Sequence, residues 1–406
     1  MFDEVAMIVA TIVMACAVVY LALVSGYLLF LTFGAFLLHL KPLREAQPLR
    51  IAIAVPAHNE ELQIGACVKQ ILHANYPADK LGIFVIADNC SDGTAQAARE
   101  AGATALERHD LTLRGKGQAL DWFLKGHKQQ LESFDVIAIV DADTLVDRDF
   151  CRAVSAAFAH ESVSAVQGFH GVSNPGANWR TALTFAAFSL VNGLRPAGRT
   201  FWGGTGDLKG NGMAFRSSLL LQTGWPAHSI VEDMEFSMRL LLEGTRVQYV
   251  PRAIVISEMP TTSAQADPQR RRWEAGRIQL IKTFLPRLLV AFLRAPRWRY
   301  LDAILELMVP PLSLLVFLEL VLLAVSVFLV PAYTLPVVGC GFIIVHYVAS
   351  GLWLCRAPAN VWLALAAAPA FLLWKIPFYI KLAFTKKPQT WERTQRQAEI
   401  DRESKQ

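Results

Sequence analysis

Apolar and polar positions are distributed unevenly along the chain. Residues 5–40, "VAMIVATIVMACAVVYLALVSGYLLFLTFGAFLLHL", contain no Asp, Glu, Lys or Arg, and three more apolar stretches follow near 302–330, 334–355 and 359–384. Each is long enough to cross a bilayer as a helix. A buried core helix is the competing explanation, and a charge-free run of that length argues against it. A cleaved leader is also disfavoured, because no basic segment precedes the run and no small-residue cleavage site separates it from Lys41. Between the first span and the later ones, short apolar runs alternate with longer helical patterns. "IAIAV" (51–55), "GIFVIA" (82–87) and "VIAIV" (136–140) read as strands, and the segments 60–74 and 93–102 read as helices. Strands separated by helices predict βαβ units and a parallel, doubly wound sheet, with its ligand beyond the carboxyl ends of the strands.

Each of those strand ends is polar: "PAHNEE" (56–61), "DNCSDGT" (88–94) and "DADT" (141–144). In an extended segment residues i and i+2 face the same way, so Asp141 and Asp143 would repel unless something positive sat between them. A metal ion would serve; a pair of solvated loop acids is the plainer alternative. The chain is 53% hydrophobic with mean hydropathy +0.34, an excess over ordinary soluble domains that the apolar stretches account for. The formal charge is +5, but the basic residues gather beside the spans rather than on one face, so no nucleic-acid partner is expected. The six cysteines show no CxxC spacing, which argues against a zinc site or a disulfide framework and for a reducing compartment. Lys41, Arg44 and Arg50 follow the first span while Asp3 and Glu4 precede it, which puts residues 41 onward in the cytoplasm. The Asn89-Cys90-Ser91 sequon would be inert there.

Two glycine-rich stretches carry charge. "RGKGQAL" (114–120) offers Arg114 and Lys116 flanked by glycines that would let backbone approach a nucleotide, without the spacing of a Walker loop. "GGTGDLKGNGMAF" (203–215) lacks GxGxxG and implies no dinucleotide site. "VED" (231–233) precedes a helical pattern, where acids favour the macrodipole and where a shielded carboxylate can also work as a base. "QRRRW" (269–273) joins three cations to an aromatic, and 277–300 interleaves Arg and Lys with Leu, Phe and Trp as interfacial helices do.

Six of these motifs, "PAHNEE", "DNCSDGT", "RGKGQAL", "DAD", "VED" and "QRRRW", in this chain order and approximate spacing, resemble the membrane-embedded family 2 glycosyltransferases. That group includes cellulose, chitin, hyaluronan and poly-N-acetylglucosamine synthases and bacterial ceramide glucosyltransferases. The resemblance covers the whole chain. It implies an α/β, GT-A-type (Rossmann-like) cytosolic domain over 41–276, a transmembrane segment over 1–40, interfacial helices over 277–300, a transmembrane region over 301–384 and a basic tail over 385–406. It further implies inverting transfer from a UDP-sugar, with Mg²⁺ or Mn²⁺ held by Asp143 between the phosphates and Asp141 nearer the ribose. Asp88 would contact the base, beside the backbone at Pro56 and Ala57, with Glu60 closing the pocket and Lys116 at the nucleotide. The 203–215 stretch would line the acceptor side. Asp233 is the expected general base, with Glu232 and Glu235 beside it. Arg272 would neutralise the diphosphate, Trp273 would stack on an acceptor sugar, Gln269 fits the same pattern, and Arg270 and Arg271 would reach lipid headgroups or the site. The expected product is a growing polysaccharide, or alternatively a singly glycosylated lipid. The carbohydrate or glycolipid acceptor, the bilayer, and a homo-oligomer or accessory export protein are the expected partners, at the bacterial inner membrane.

Topology is the one place where these expectations conflict. Three C-terminal crossings would put the tail outside, whereas Lys386, Lys387, Arg393, Arg396, Arg402 and Lys405 place it inside. Pro369, Lys375, Pro377 and Lys381 single out 359–384 as the stretch expected to dip into the bilayer or lie along its cytoplasmic face.

Overall fold

A computed structural model describes residues 2–42, 46–227, 229 and 231–368. An apolar helix, α1 (Phe2–His39), leads into an α/β unit. Its first half contains β1 (Ile51–Ala57), α2 (Glu61–Leu72), β2 (Leu81–Asp88), α3 (Thr94–Glu100), β3 (Thr104–Arg108), α4 (Lys116–Gly126), α5 (Lys128–Leu131) and β4 (Val136–Ile139). The second half contains β5 (Thr144–Val146), α6 (Phe150–Phe158), β6 (Ala165–Val172), α7 (Trp179–Phe188), α8 (Arg195–Phe201), β7 (Met213–Arg216), α9 (Ser217–Thr223), α10 (Glu232–Leu242) and β8 (Val247–Ser257). A π-helical turn, Ser189–Leu194, joins α7 to α8. Then come α11 (Ser263–Arg294), α12 (Trp298–Met308), α13 (Leu312–Leu329), α14 (Thr334–Leu354) and α15 (Ala359–Ala364).

The three strands and two helices expected in the first half are present within two residues of their predicted bounds. Their Val, Ile and Ala runs are buried on both faces, as parallel strands covered by helices must be. The sheet as a whole is not the doubly wound parallel one predicted. Its order is β3-β2-β1-β4-β7-β6-β8-β5, parallel through the first four strands and mixed beyond. β7 runs antiparallel to both β4 and β6, with Met213 opposite Ile139. Because β7 starts where β4 stops, the loop 203–212 arrives at the carboxyl edge of the sheet, beside Asp141. An antiparallel strand therefore delivers the second wall of the site.

The run 302–330 also divides. Pro310 and Pro311 break it, since proline removes a donor and clashes with the preceding turn, and only Leu312–Leu329 is left as a long apolar helix. The part before the break belongs to α12, whose Leu307, Ala303 and Ile304 pack with Val231, Leu241, Leu280 and Phe284 of α10 and α11. The expected interfacial segment 277–300 is mainly the distal half of α11, continuous with "QRRRW", and buries Leu280, Phe284 and Leu288 while exposing Leu289, Val290 and Leu293. Of 359–384, residues 359–368 form α15 and one 3₁₀ turn against α7, with Asn360 Nδ2 donating to Pro175 O at 2.7 Å. The rest of that stretch and the basic tail lie outside the described residues.

Among the described residues three helical segments are long and apolar enough to cross a membrane, Val9–His39, Leu312–Leu329 and Pro331–Leu354. They pack on one another through Leu21, Leu28, Val337 and Ile344. They also pack on the α/β unit, which the reading of 41–276 as an ordinary soluble segment did not anticipate. Trp202, just after α8, stacks on Phe30 of α1 at 4.5 Å and donates from its indole to the Phe30 carbonyl at 3.0 Å. Where α8 crosses α1 the backbones touch, so a Cβ built on Gly198 would lie 2.1 Å from Leu31 O. Gly198→Val should accordingly separate the two helices and cost at least about 1–3 kcal/mol, since the obstacle is backbone and cannot move aside. Thermal unfolding of the purified protein in detergent checks this, and an unchanged midpoint would contradict the contact.

Candidate active site

The first two strand ends are locked together by backbone and side chain. His58 Nδ1 donates to Asp88 O at 2.7 Å, Ser91 N to Asn59 Oδ1 at 2.8 Å, and Glu60 N to Thr94 Oγ1 at 2.8 Å. Asn59 and Asn89 take positive φ, 55° and 52°, a conformation Asn tolerates better than most side chains. Pro56, Ala57, Glu60 and Asp88 thus share one rim. Asp88 is 7% exposed, and Arg108, at the end of β3, donates to its Oδ1 at 2.5 Å while Asn89 Nδ2 donates at 3.0 Å. Arg108 was not singled out from the sequence. It compensates a carboxylate that would otherwise be buried and unpaired.

The third strand end differs from its expected form. β4 stops at Ile139, and residues 142–143 form a turn in which Thr144 N donates to Asp141 O at 3.2 Å. Asp141 and Asp143 are therefore not two positions on one face of a strand, and the i, i+2 argument does not describe them. What faces Asp141 is Lys116, whose ammonium contacts both Asp141 Oδ1 and the carbonyl of Gly210. Gly115 precedes it at φ 110°, a backbone state that suits glycine, and this turns the first residue of α4 inward. Arg114 is not brought in: it is exposed, and its Nε donates to Leu111 O at 3.0 Å within its own loop. Asn211 fixes the other side, accepting from Asp141 N at 3.1 Å and donating to Thr144 Oγ1 at 2.7 Å. Its only signal in the sequence was its place in the glycine-rich stretch.

Asp233 and Glu232 open α10. Gly210, at φ 79°, faces Asp233 so closely that a Cβ there would lie 3.2 Å from Asp233 Oδ2. Lys116, Asp141, Gly210 and Asp233 therefore border one volume. Burial raises the Asp233 carboxyl above the usual range, while Lys116 and Lys209 counter that rise. Burial first and the charge of Asp233 second push Glu232 up to about 7, with Lys116 and Arg272 opposing. Of the α11 residues, Arg272 is thus near enough to act on Glu232, and Trp273, 39% exposed, packs on Phe188 at 5.9 Å. Phe188 in turn meets His170 edge-on at 5.5 Å. His170 is pushed down to about 4 by burial, against the attraction of Asp141, and so is neutral at physiological pH. Gln269 is half-buried on the same helix, and Arg270 lies 4.0 Å from Asp267. Glu235 pairs with Arg239 at 2.7 Å, away from the reacting groups.

The folded protein holds the Glu232 proton more tightly than an unfolded chain would. This group therefore subtracts from folding stability as pH rises from the ordinary carboxylate range to about 7. Infrared difference spectroscopy should reveal a protonated carboxyl that ionises near pH 7 and disappears in Glu232→Gln. Complete ionisation by about pH 5, where free carboxylates have titrated, would contradict the geometry.

Residues 48–276 match the family model described as glycosyltransferase like family 2. The chain is 32% identical over 235 residues to beta-monoglucosyldiacylglycerol synthase of Trichormus variabilis, covering 56% of this chain and 49% of that protein. It is 29% identical over 234 residues to poly-beta-1,6-N-acetyl-D-glucosamine synthase of Staphylococcus aureus, covering 56% and 54%. The chain thus spans about half the length of the curated relatives it matches. A mannosyltransferase from Pyrobaculum calidifontis, solved in complex with GDP-Man and Mn²⁺, shares the fold at a TM-score of 0.53 and 21% identity, over 89% of this chain and 99% of that one.

Proposed function

The chain belongs to glycosyltransferase-like family 2 and has a GT-A-like fold, and we propose that it transfers a sugar from a UDP-sugar, with inversion, to an acceptor hydroxyl at the cytoplasmic face of a bacterial inner membrane. The observation that carries this reading is Asp233, a carboxylate of raised proton affinity bordering the volume that Lys116 and Asp141 also border. A single displacement needs that arrangement: cationic and hard-oxygen groups for the leaving diphosphate, and one base on the opposite side.

In this reading the nucleobase and ribose lie along the rim of Pro56, Ala57, Glu60 and Asp88, with Arg108 holding Asp88 in place. Lys116 exchanges its contact with Asp141 for a phosphate oxygen, and Arg272 meets the diphosphate from α11. The acceptor oxygen attacks the anomeric carbon, the bond from that carbon to the diphosphate breaks, UDP leaves with the electron pair, and Asp233 takes the acceptor proton. Asp143 and Asp141 are the residues that would hold Mg²⁺ or Mn²⁺, both being hard carboxylate donors. Among the described residues no group of three or more His, Cys, Asp or Glu is placed to hold a metal, and the two carboxylates would supply the hard oxygen donors that such an ion takes. When bound, such an ion neutralises charge on the leaving group.

A growing polysaccharide is one acceptor; a membrane lipid is the other, and a specific observation favours it. The apolar helices fill their shared core with Leu21, Leu28, Leu31, Val337 and Ile344, while α11 carries Trp273, Ile278, Leu289, Val290 and Leu293 exposed along one helix. That helix would seat the site against a lipid surface. Mass spectrometry of products from purified protein offered a panel of UDP-sugars and membrane lipids distinguishes the two. One glycolipid mass supports lipid modification, a ladder supports polymerisation, and no UDP release with any sugar contradicts the enzyme.

Two substitutions test the roles. Asp233→Asn should lower transfer about 10²–10⁴-fold and leave UDP affinity within about twofold, because the base acts on the acceptor. Matching losses of rate and affinity would make Asp233 a binding residue instead. Asp143→Asn should remove most activity at every Mn²⁺ concentration while the unfolding midpoint holds, and substantial residual turnover would remove it from the ligand set.

A further inference from the structure

The loop that forms the second wall of the site is gripped from behind by buried charge. Asp207 lies at φ 49°, in the left-handed region that few side chains other than Asn and Asp enter. Three residues on is Gly210, whose carbonyl takes Lys116 and whose Cα faces Asp233. Between them, Leu208 N donates to Ser237 Oγ at 2.5 Å and Lys209 N to Gln167 Oε1 at 2.8 Å. The conformation of Asp207 thus sets where Lys209 and Gly210 lie.

Asp207 is held by Arg199 of α8, which is 1% exposed. The guanidinium Nη1 pairs with Asp207 Oδ2, and Nε donates to Asp302 Oδ2 at 3.0 Å. Asp302, on α12, is fully buried; its Oδ2 also accepts from Thr205 N at 3.3 Å, and its Oδ1 accepts from Tyr27 OH of α1 at 2.8 Å. An unbroken chain of contacts therefore runs from the N-terminal apolar helix to Asp141: Tyr27, Asp302, Arg199, Asp207, the 208–210 backbone and Lys116. Stability alone is a poor reason for it, because a buried ion pair seldom outperforms apolar side chains of the same volume. A planar guanidinium shared by two carboxylates does, however, fix orientation, which packed methyl groups do not.

We propose that Arg199, Asp207 and Asp302 are positioning residues, a buried relay through which α1 sets Lys209 and Gly210 against Asp233 and Lys116. The inference rests on the glycosyl-transfer reading. None of the three touches the reacting atoms, and the nucleotide rim lies on other elements, so disturbing the relay lowers turnover more than it weakens donor binding, which it reaches only through Lys116.

The test uses full-length protein in detergent, with Asp207→Asn, which tolerates the left-handed backbone but loses the charge, Arg199→Lys, which keeps the charge but loses the fork, and Tyr27→Phe, which removes one hydroxyl. Turnover per folded enzyme should fall about tenfold or more in the first two and about threefold in the third, as small misplacements of reacting groups do, with any rise in the KM for the UDP-sugar smaller than the fall in turnover. Should Asp207→Asn or Arg199→Lys fail to fold, Tyr27→Phe carries the test, since it removes no charge. Lowered unfolding midpoints with undiminished turnover would make the relay merely structural and overturn the proposal, as would a rise in KM equal to the fall in turnover. Transfer by the unsubstituted protein with undiminished turnover in the variants rejects this inference alone; absence of transfer by the unsubstituted protein rejects the parent reading and this inference with it.

Discussion

The site depends on one ammonium group. Lys116 stands between Asp141 and the carbonyl of Gly210, and so ties the parallel half of the sheet to the loop that precedes the antiparallel strand β7. Without a cation there, Asp141 would lose its partner, Asp233 and Glu232 would keep only the attraction of Lys209 and Arg272, and the repulsion among the acids would oppose the fold that gathers them. With it, the acids are held at close range, and burial, against the pull of Lys116, still leaves Glu232 and Asp233 holding their protons more tightly than usual. In the proposed reaction the same charge would meet a diphosphate once a donor displaced Asp141 from it.

The polar rim at the strand ends was legible from sequence because parallel strands buried on both faces are continuous apolar runs, and ligands of such sheets sit at their carboxyl ends. The part of Pro56, Ala57, Glu60 and Asp88 in holding a nucleotide came from the family resemblance; strand logic placed them at strand ends. The pairing of Asp141 with Asp143 followed from it too far: the strand stops two residues before Asp141, so strand periodicity no longer governs where those side chains lie. The second half of the sheet was opaque for a related reason. β7 is four residues long, β6 carries two glycines, a glutamine and a histidine, and β8 contains a proline, so none repeats the apolar signature of the first strands.

The membrane side was misjudged through charge. Residues 195–207 include Arg195, Arg199 and Asp207 and look solvated in composition, yet all three are buried: Arg199 pairs with Asp207, and Arg195 and Arg199 find Glu306 and Asp302 on a helix one hundred residues later in the chain. Composition reports how many charges a segment has and is silent on whether their partners arrive from elsewhere. The consequence is functional as well as architectural. The glycosyltransferase unit packs directly on its apolar helices: Gly198 and Arg199 of α8, with Trp202 just after it, join the two.

At the centre of this account is a single displacement, with Asp233 deprotonating the acceptor on the side opposite the departing UDP. Proton NMR of the first glycosidic product formed from an α-configured UDP-sugar tests it most directly, because the anomeric coupling records which face was attacked. A β-linked product is predicted; an α-linked product would require a second displacement or front-face attack and would contradict the assignment of Asp233 as the base.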